Sequence, residues 1–337
     1  MTTGHYRLPD LVVHADWSTN PRKRWMAIAK FSQQEKYIVE YPCLAGDLDD
    51  LLFRLSEMAG KSGCILLGFD YPIGLPLKFA QKLGVSDFLE VLPKLGHGKW
   101  RDFYSPAETA EQIRLTRPFY PQSPGGKKQI DLVQALGMKT INDLRRRCEL
   151  AQENRRAAAP LFWTLGAQQV GKAAISGWKE ILGPGMRRKD TNLFIWPFSG
   201  GLRDLLKVGR IIVAETYPAE FYSHLGFHFS RSGSGKKGGK RDQNARSHHA
   251  EQLFAWAEYA GVELSNKSRA AIQDGFGATP VGEDLFDACI GLFGMLNVVL
   301  GFRPPGDPKE DGIRKVEGWI LGQDYEKRLL YNLRRRG

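Results

Sequence analysis

The sequence contains few cysteines, and no two of them are spaced for a metal site. Its 337 residues include four cysteines, at positions 43, 64, 148 and 289, without a Cys-x-x-Cys motif. This excludes a zinc ribbon or a disulfide framework and favours a reducing compartment. Cys64 and Cys289 lie in apolar runs, so we expect both to pack in the core.

Long apolar runs are also missing. The first ten residues, MTTGHYRLPD, contain no apolar signal core. The longest apolar stretch, Ala288–Phe302, is short for a membrane span and carries three glycines. We therefore expect a buried helix there, and a soluble cytoplasmic protein without a membrane partner. Internal repeats and long low-complexity tracts are absent as well.

Acidic residues are scarcer than basic ones. Lys and Arg number 48 against 37 Asp and Glu, which gives a formal net charge of +11. This balance favours an anionic partner, nucleic acid first, although a solvated basic surface would give the same number. The hydrophobic and charged fractions, 42% and 25%, are those of a globular protein with one large or two ordinary domains.

The first part of the chain predicts three strands, a helix and a fourth strand. Leu11–Asp16, Arg24–Phe31 and Glu35–Tyr41 are joined by short polar turns, which predicts an antiparallel meander. Gly46–Gly60 has its apolar residues at helical spacing. The continuous apolar run Cys64–Asp70 predicts a strand buried on both faces. Because a helix precedes it, we expect this strand to run parallel to its partner.

The remainder of the chain is predicted to be helical around one further buried strand. We interpret residues 77–209 as a large, mainly helical insertion between the fourth and fifth strands. Ile211–Glu215 is the fifth strand candidate, a β-branched run that ends in an acid. The other predictions are a helix over Ser86–Leu92 with Ser86 as N-cap, a loop over Tyr120–Lys128, helices over Ile141–Ala159, Asp242–Ala260, Ser265–Gln273 and Gly282–Gly301, a loop leading into a helix over Trp163–Trp178, and a late strand over Lys315–Gly322.

Acidic residues close the strand candidates. Asp16, Asp70 and Glu215 each follow an apolar run, and parallel neighbours place their carboxyl ends at one edge of a sheet. Asp284 and Asp287 are three residues apart and share one face of their helix. The alternatives stay open for each: Asp16 and Asp70 as turn acids, Asp284 as a helix-start charge, and Glu215 as a partner of the turn beyond it.

Converging carboxylates would favour a divalent cation. Without one, their mutual repulsion raises their pKa values and destabilises the fold. Hard oxygen ligands select Mg²⁺ or Mn²⁺ over softer metals. Two such ions roughly 4 Å apart can activate a water and stabilise the leaving oxygen in phosphodiester cleavage.

Several phrases of the sequence resemble a known family. FDYPIGLP, ETYPAEFYSHLG, GEDLFDA and VEGWILG are similar to those of a predicted RNase H-like nuclease family that is catalogued as a domain of unknown function. The resemblance extends from about Leu11 to Gly322. It implies an α/β fold with a mixed five-stranded sheet in the order 3-2-1-4-5, flanked by helices. It also implies one domain over residues 1–322, followed by a basic tail over 323–337.

The resemblance also implies roles for particular residues. In RNase H-like enzymes, acids on the first strand, the fourth strand and the last helix hold the metals. Carried over by position, these are Asp16, Asp70, Asp284 and Asp287, whereas Glu215 belongs to the family's E-x-[YH]-P phrase without a settled role. Further candidates are Gln168 and Lys172, which match a polar part of the family pattern, and Glu317.

A glycine- and lysine-rich segment, RSGSGKKGGKR over Arg231–Arg241, is a candidate phosphate site. Backbone amides and basic side chains at the start of a helix can hold phosphate. The spacing is not that of a P-loop. A solvated loop is the alternative. The basic side chains concerned are Lys236, Lys237, Lys240 and Arg241.

These features favour a metal-dependent nuclease. A protein of the same fold that binds nucleic acid without cleaving it is the first alternative. A small-molecule phosphotransferase is less favoured, because the turn after the first strand, STNPRK at residues 18–23, has no glycine to hold a phosphate.

Overall fold

The computed structural model describes residues 7–60, 62–151, 156–166, 170–227 and 239–326. The chain divides into two compact units. Unit 1 comprises Met1–Asp70, Asn192–Phe194 and Arg203–Pro305; unit 2 comprises Tyr71–Thr191, Ile195–Leu202 and Gly306–Gly337. Unit 2 therefore collects most of the region that the sequence analysis assigned to a helical insertion.

A mixed sheet of eight strands organises unit 1. Its order is β6-β7-β5-β1-β2-β3-β8, and β4 pairs with β2 beside this path. The strands are β1 (Leu11–Asp16), β2 (Trp25–Phe31), β3 (Tyr37–Val39), β4 (Cys43–Leu44), β5 (Ile65–Phe69), β6 (Leu193–Ile195), β7 (Ile211–Glu215) and β8 (Glu263–Leu264).

The pairing of these strands confirms a mixed α/β fold. β1 and β2 are antiparallel, as are β2 and β3, so the predicted meander is present. β5 runs parallel to β1, and β7 runs parallel to β5. All residues of β5 and β7 are buried, because their apolar side chains alternate between two covered faces.

Helices make up most of the remaining regular structure. The α-helices are α1 (Leu51–Ala59), α2 (Leu77–Leu83), α3 (Phe88–Val91), α4 (Gln129–Ala135), α5 (Val170–Gly177), α6 (Gly183–Arg187), α7 (Leu202–Leu205), α8 (Pro218–His224), α9 (Gln243–Ser247), α10 (Ala250–Tyr259), α11 (Asn266–Asp274) and α12 (Val281–Val299). Short 3₁₀ helices cover Pro21–Lys23, Leu92–Lys94, Gly98–Trp100, Ala110–Gln112, Ile141–Leu144, Arg147–Glu149 and Gly239–Arg241, and π-helical turns cover Trp178–Leu182 and Ile313–Glu317.

The longest helix, α12, is the buried helix predicted from the sequence. It packs against β1, β2 and α8. Two glycines permit this close approach: Gly291 lies against the ring of His14 on β1, and Gly294 lies against the ring of Phe221 on α8. Cys289 is buried in the same helix, and Cys64 is buried just before β5, as predicted.

Two predicted helices near the end of unit 1 have different outcomes. α11 agrees with the prediction within a residue at each end, and the Ser265 side chain caps it by accepting from the Ser268 N–H at 3.3 Å. The single helix predicted over Asp242–Ala260 is wrong, because the chain forms α9 and α10 with a break at His248 and His249.

The helix predicted over Ile141–Ala159 is also wrong. Its described part contains only the two short 3₁₀ helices, separated by extended backbone at Arg145 and Arg146. The Arg146 side chain is wholly buried and donates to Glu149 Oε1 and to the backbone carbonyls of Ile73 and Glu317. These long-range polar contacts outweigh the helix propensity of the segment.

The structure corrects two further predictions, the strand over Lys315–Gly322 and the N-cap of the helix now called α3. The strand predicted over Lys315–Gly322 is absent, because Ile313–Glu317 forms a π-helical turn that ends at Gly318, where φ is +69°. The N-cap of α3 is Asp87 rather than Ser86, and its carboxylate accepts from the Leu89 N–H. Both segments belong to unit 2.

In the part of the chain that the structure describes, every helix is too short or too polar to cross a membrane.

Candidate active site

Asp16 ends β1, and Asp70 directly follows β5, the parallel neighbour of β1. The register pairs Ala15 with Phe69, so the next residues, Asp16 and Asp70, lie at the same edge of the sheet. The backbone N–H of Trp17 donates to Asp70 Oδ1 at 2.7 Å, which orients that carboxylate. The carboxyl groups of Asp16 and Asp70 lie close enough for each to influence the pKa of the other.

Both carboxylates face α12. Two positions earlier on the strands, His14 and Gly68 both meet this helix: His14 Nδ1 donates to a backbone carbonyl of α12 at 3.1 Å, and a Cβ at Gly68 would lie 2.4 Å from Met295 Sδ. Side chains of a strand alternate between faces. Asp16 and Asp70 therefore project from the same face as His14 and Gly68.

The first half of α12 supplies two more carboxylates. Asp284 and Asp287 precede Gly291 at helical spacing, so they lie on the face that meets β1. Asp287 is buried, its Oδ1 accepts from the Tyr222 hydroxyl, and its Oδ2 accepts from Lys240 Nζ. The four side chains of Asp16, Asp70, Asp284 and Asp287 are called the aspartate cluster below.

Burial and mutual repulsion disfavour the charged form of the cluster. Burial raises the pKa of Asp16 well above its usual range, and the charges of Asp70 and Asp287 raise it further. Burial also raises the pKa of Asp70 to about 7, against the opposing effect of its backbone hydrogen bond. It raises the pKa values of Asp284 and Asp287 too, while the ammonium of Lys240 opposes both shifts. The cluster therefore needs positive charge to be fully ionised at neutral pH.

Basic side chains supply part of that charge. Lys240 Nζ also lies 3.3 Å from Glu283 Oε1, and the Arg241 Nε lies 3.9 Å from Glu283 Oε2. Burial lowers the pKa of Lys240, but the Asp287 carboxylate more than offsets this and leaves it raised. The exposed Lys23 acts on Asp284 from the 3₁₀ helix after β1.

The chemistry of the cluster fits a hard divalent cation. In the conformation described here, no three His, Cys, Asp or Glu side chains among the described residues stand in a ready-made arrangement for a metal ion. Asp287 has both oxygens engaged by Tyr222 and Lys240. The Asp284 Oδ2, however, is buried and has no hydrogen-bond partner among the described residues. A buried carboxylate oxygen without a partner is costly, and a bound cation would remove that cost.

Glu215 lies apart from the aspartate cluster. It ends β7 and is buried, and the parallel register pairs it with Phe69. Paired residues project from the same face, and Phe69 alternates with Gly68, which faces α12. Glu215 therefore projects from the opposite face, and we do not assign it to the cluster.

The other candidates from the sequence are scattered. Lys236, Lys237 and Gln168 lie outside the described residues. Lys172 lies on α5, in unit 2.

Glu317 also belongs to unit 2, where it has a structural role. Its carboxylate accepts from the backbone N–H groups of Leu77 at 3.1 Å and Arg147 at 2.8 Å. These bonds join three segments of unit 2.

Two residues near the cluster were missed by the sequence analysis. Tyr222, on α8, donates to Asp287. Arg246, on α9, is buried and donates to the backbone carbonyls of Lys240 at 2.6 Å, Gly275 at 2.8 Å and Gly277 at 2.6 Å. Tyr222 lies within the phrase ETYPAEFYSHLG, which could have pointed to it, whereas Arg246 belongs to none of the quoted phrases and only the three-dimensional arrangement reveals it.

Comparison with models of protein families, with curated proteins and with solved structures gave no significant match. The resemblance drawn from the sequence phrases therefore stays a prediction.

Proposed function

We propose that the protein is a metal-dependent nuclease with an RNase H-like core, which hydrolyses phosphodiester bonds in nucleic acid. The observation that carries this proposal is the aspartate cluster: four acids from two adjacent strand ends and one helix gather at one edge of a sheet. Grouped carboxylates with raised pKa values are typical of sites that hold a cation or transfer a proton.

The arrangement of five adjacent strands supports the proposed fold. We interpret β1, β2, β3, β5 and β7 as the five-stranded core, since they lie in the order β3-β2-β1-β5-β7. Only β2 runs antiparallel to its neighbours among them. In this interpretation α12 is the last helix of the core, and β4, β6 and β8 are additions.

The aspartate cluster would hold Mg²⁺ or Mn²⁺. The bound ion would neutralise the carboxylates, lower the pKa of a water and stabilise the leaving oxygen. The chain's own groups keep the carboxylates in place: the Trp17 N–H orients Asp70, and the Tyr222 hydroxyl orients Asp287. Because the two strands and α12 are packed elements, their backbones would stay in place while the carboxylate side chains turn to receive a cation.

The charge around the cluster supports nucleic acid as the substrate. The whole chain carries a formal net charge of +11. Lys23 and Arg241, both exposed, lie close enough to act on the acids of α12. Such residues can contact the phosphates on either side of the bond that is cleaved.

Cleavage assays with matched variants test the proposal. Labelled single- and double-stranded DNA and RNA are incubated with the protein in Mg²⁺ or Mn²⁺. We expect Asp16→Asn and Asp70→Asn to lower the rate by roughly a hundredfold or more, because each removes a cation ligand. Asp204→Asn, at an exposed position of α7 outside the cluster, is the control and should cleave like the wild type. Unchanged cleavage in both cluster variants would refute the assignment.

One observation favours a second candidate, a protein that binds nucleic acid without cleaving it. The ammonium of Lys240 already neutralises part of the cluster by contacting Asp287 and Glu283. Under this alternative, nucleic acid binds in EDTA with a steep salt dependence, and no metal supports hydrolysis.

A further inference from the structure

Lys240 is the side chain that brings positive charge deepest into the aspartate cluster. Its Nζ contacts Asp287 Oδ2 and lies 3.3 Å from Glu283 Oε1. Its charge also acts on Asp16, Asp70 and Asp284. One ammonium group thus faces the carboxylates that would bind a metal, including the buried Asp287.

The backbone of Lys240 is held in place by a buried contact. The Arg246 guanidinium bonds the Lys240 carbonyl together with those of Gly275 and Gly277, in the segment that leads to α12. Lys240 is therefore fixed at its backbone, whereas its side chain remains 38% exposed. Such a side chain can turn towards solvent without unfolding its neighbours.

An ammonium group and a divalent cation cannot both occupy the same oxygens. The Asp287 Oδ2 that accepts from Lys240 is a carboxylate oxygen, the type of atom that ligates Mg²⁺ or Mn²⁺. Two cations within a few ångströms also repel each other in a poorly hydrated site. Entry of a metal at Asp287 therefore requires Lys240 to leave.

We propose that the Lys240 ammonium and a divalent cation compete for the aspartate cluster, with Lys240 neutralising the site when no metal is bound. This inference rests on the proposed metal-dependent function and adds to it how the site is regulated. It predicts that metal affinity is set partly by a residue that is not a ligand.

Metal binding without turnover tests the competition. Mn²⁺ affinity is measured by isothermal titration calorimetry on the full chain, for the wild type and for Lys240→Gln. We expect Lys240→Gln to bind Mn²⁺ roughly tenfold or more tightly, because the competing charge is gone. The metal-free variant should also unfold at a lower temperature than the wild type, and saturating Mn²⁺ should abolish that difference.

Two further variants separate contact from overall charge. Arg241→Gln removes the same charge from the adjacent, largely exposed residue, so its Mn²⁺ affinity should change by less than about threefold. Lys240→Arg keeps a competing cation and should bind Mn²⁺ no more tightly than the wild type. If Lys240→Gln does not fold, Lys240→Arg alone tests the proposal. The proposal then fails if Lys240→Arg binds Mn²⁺ more tightly than the wild type.

The outcomes distinguish this inference from the proposed function. Equal Mn²⁺ affinity in the wild type and Lys240→Gln overturns the competition but leaves the nuclease proposal standing. Mn²⁺ binding by Lys240→Gln alone supports the competition and refutes a metal-dependent wild type. Absence of Mn²⁺ binding in both proteins overturns both proposals.

Discussion

Replacing Gly291 with alanine is expected to destabilise the protein, although alanine favours helices. A Cβ at position 291 would lie 2.1–2.2 Å from three atoms of the His14 ring, far inside van der Waals contact. His14 is wholly buried, and its Nδ1 is bonded to the Ala288 carbonyl, so the ring cannot turn away without losing that bond. The helix or the strand must therefore shift.

Two effects of known size oppose each other in this variant. Alanine gains about 1 kcal/mol over glycine within a helix. Overpacking a tight core costs about 1–3 kcal/mol, and a contact this short belongs at the upper end. We expect a net loss of about 1–2 kcal/mol in the free energy of unfolding. Because the shift separates Asp287 from Asp16, the cleavage proposed above should fall by more than the loss of folded protein explains.

A double-mutant cycle with His14→Ala isolates the contact. The free energy of unfolding is measured by urea denaturation followed by circular dichroism. In the His14→Ala background the clash is absent, so Gly291→Ala should stabilise the protein by up to about 1 kcal/mol. The reasoning is refuted if Gly291→Ala has the same effect on stability in both backgrounds.

Urea denaturation also tests the contribution of three other side chains to stability: Arg146, Ser265 and His224. Arg146→Met leaves the Glu149 carboxylate buried without its ion-pair partner and should cost about 3–5 kcal/mol, part of which Glu149→Gln recovers; a loss below about 1 kcal/mol contradicts this. Ser265→Ala removes the N-cap of α11 and should cost about 1 kcal/mol, which an unchanged urea midpoint would disprove. Burial and a nearby Arg303 lower the pKa of His224 from 6.5 to about 3, so the unfolded state takes up the proton first and stability falls as the pH drops below 6.5. His224→Gln should remove this part of the acid dependence, and an identical acid limb in both proteins would refute it.

The central strands and the ends of α11 were predictable because their signals are local. Leu11–Asp16 and Ile211–Glu215 are short apolar runs that end in an acid, and the structure places both strands as predicted. Ser265 caps its helix through atoms only three residues away. Such features depend on neighbouring residues, which the sequence displays directly.

The errors arose where distant residues decide the local structure. The segment after Ile141 is rich in helix-forming residues, but Arg146 bonds the carbonyl of Glu317, which lies 171 positions away. The Val316 carbonyl likewise accepts a hydrogen bond from the backbone N–H of Leu75, and Val316 lies in a turn rather than a strand. The preferences of the residues alone do not contain these partners.

The candidate site likewise combines features that the sequence indicates with features that depend on distant residues. The strand ends predicted that Asp16 and Asp70 would lie together, whereas the place of Asp287 beside them was implied by the family resemblance and not by its spacing. The face on which Glu215 projects follows from the register with Phe69, which only the paired strands define. Lys240 and Asp287 each lie in a segment singled out from the sequence, but their contact spans 47 positions and no sequence signal predicts it.

The short strands at the ends of the sheet have a consequence for self-association. β6 has three residues and β8 has two, whereas the central strands β1, β5 and β7 have five or six residues and are mainly apolar. An outer strand with many unpaired amides and carbonyls is a template on which a second chain can add its own strand. Here the short edge strands β6 and β8 offer such a chain only a few backbone hydrogen bonds. This disfavours growth of the sheet into fibrils by strand addition.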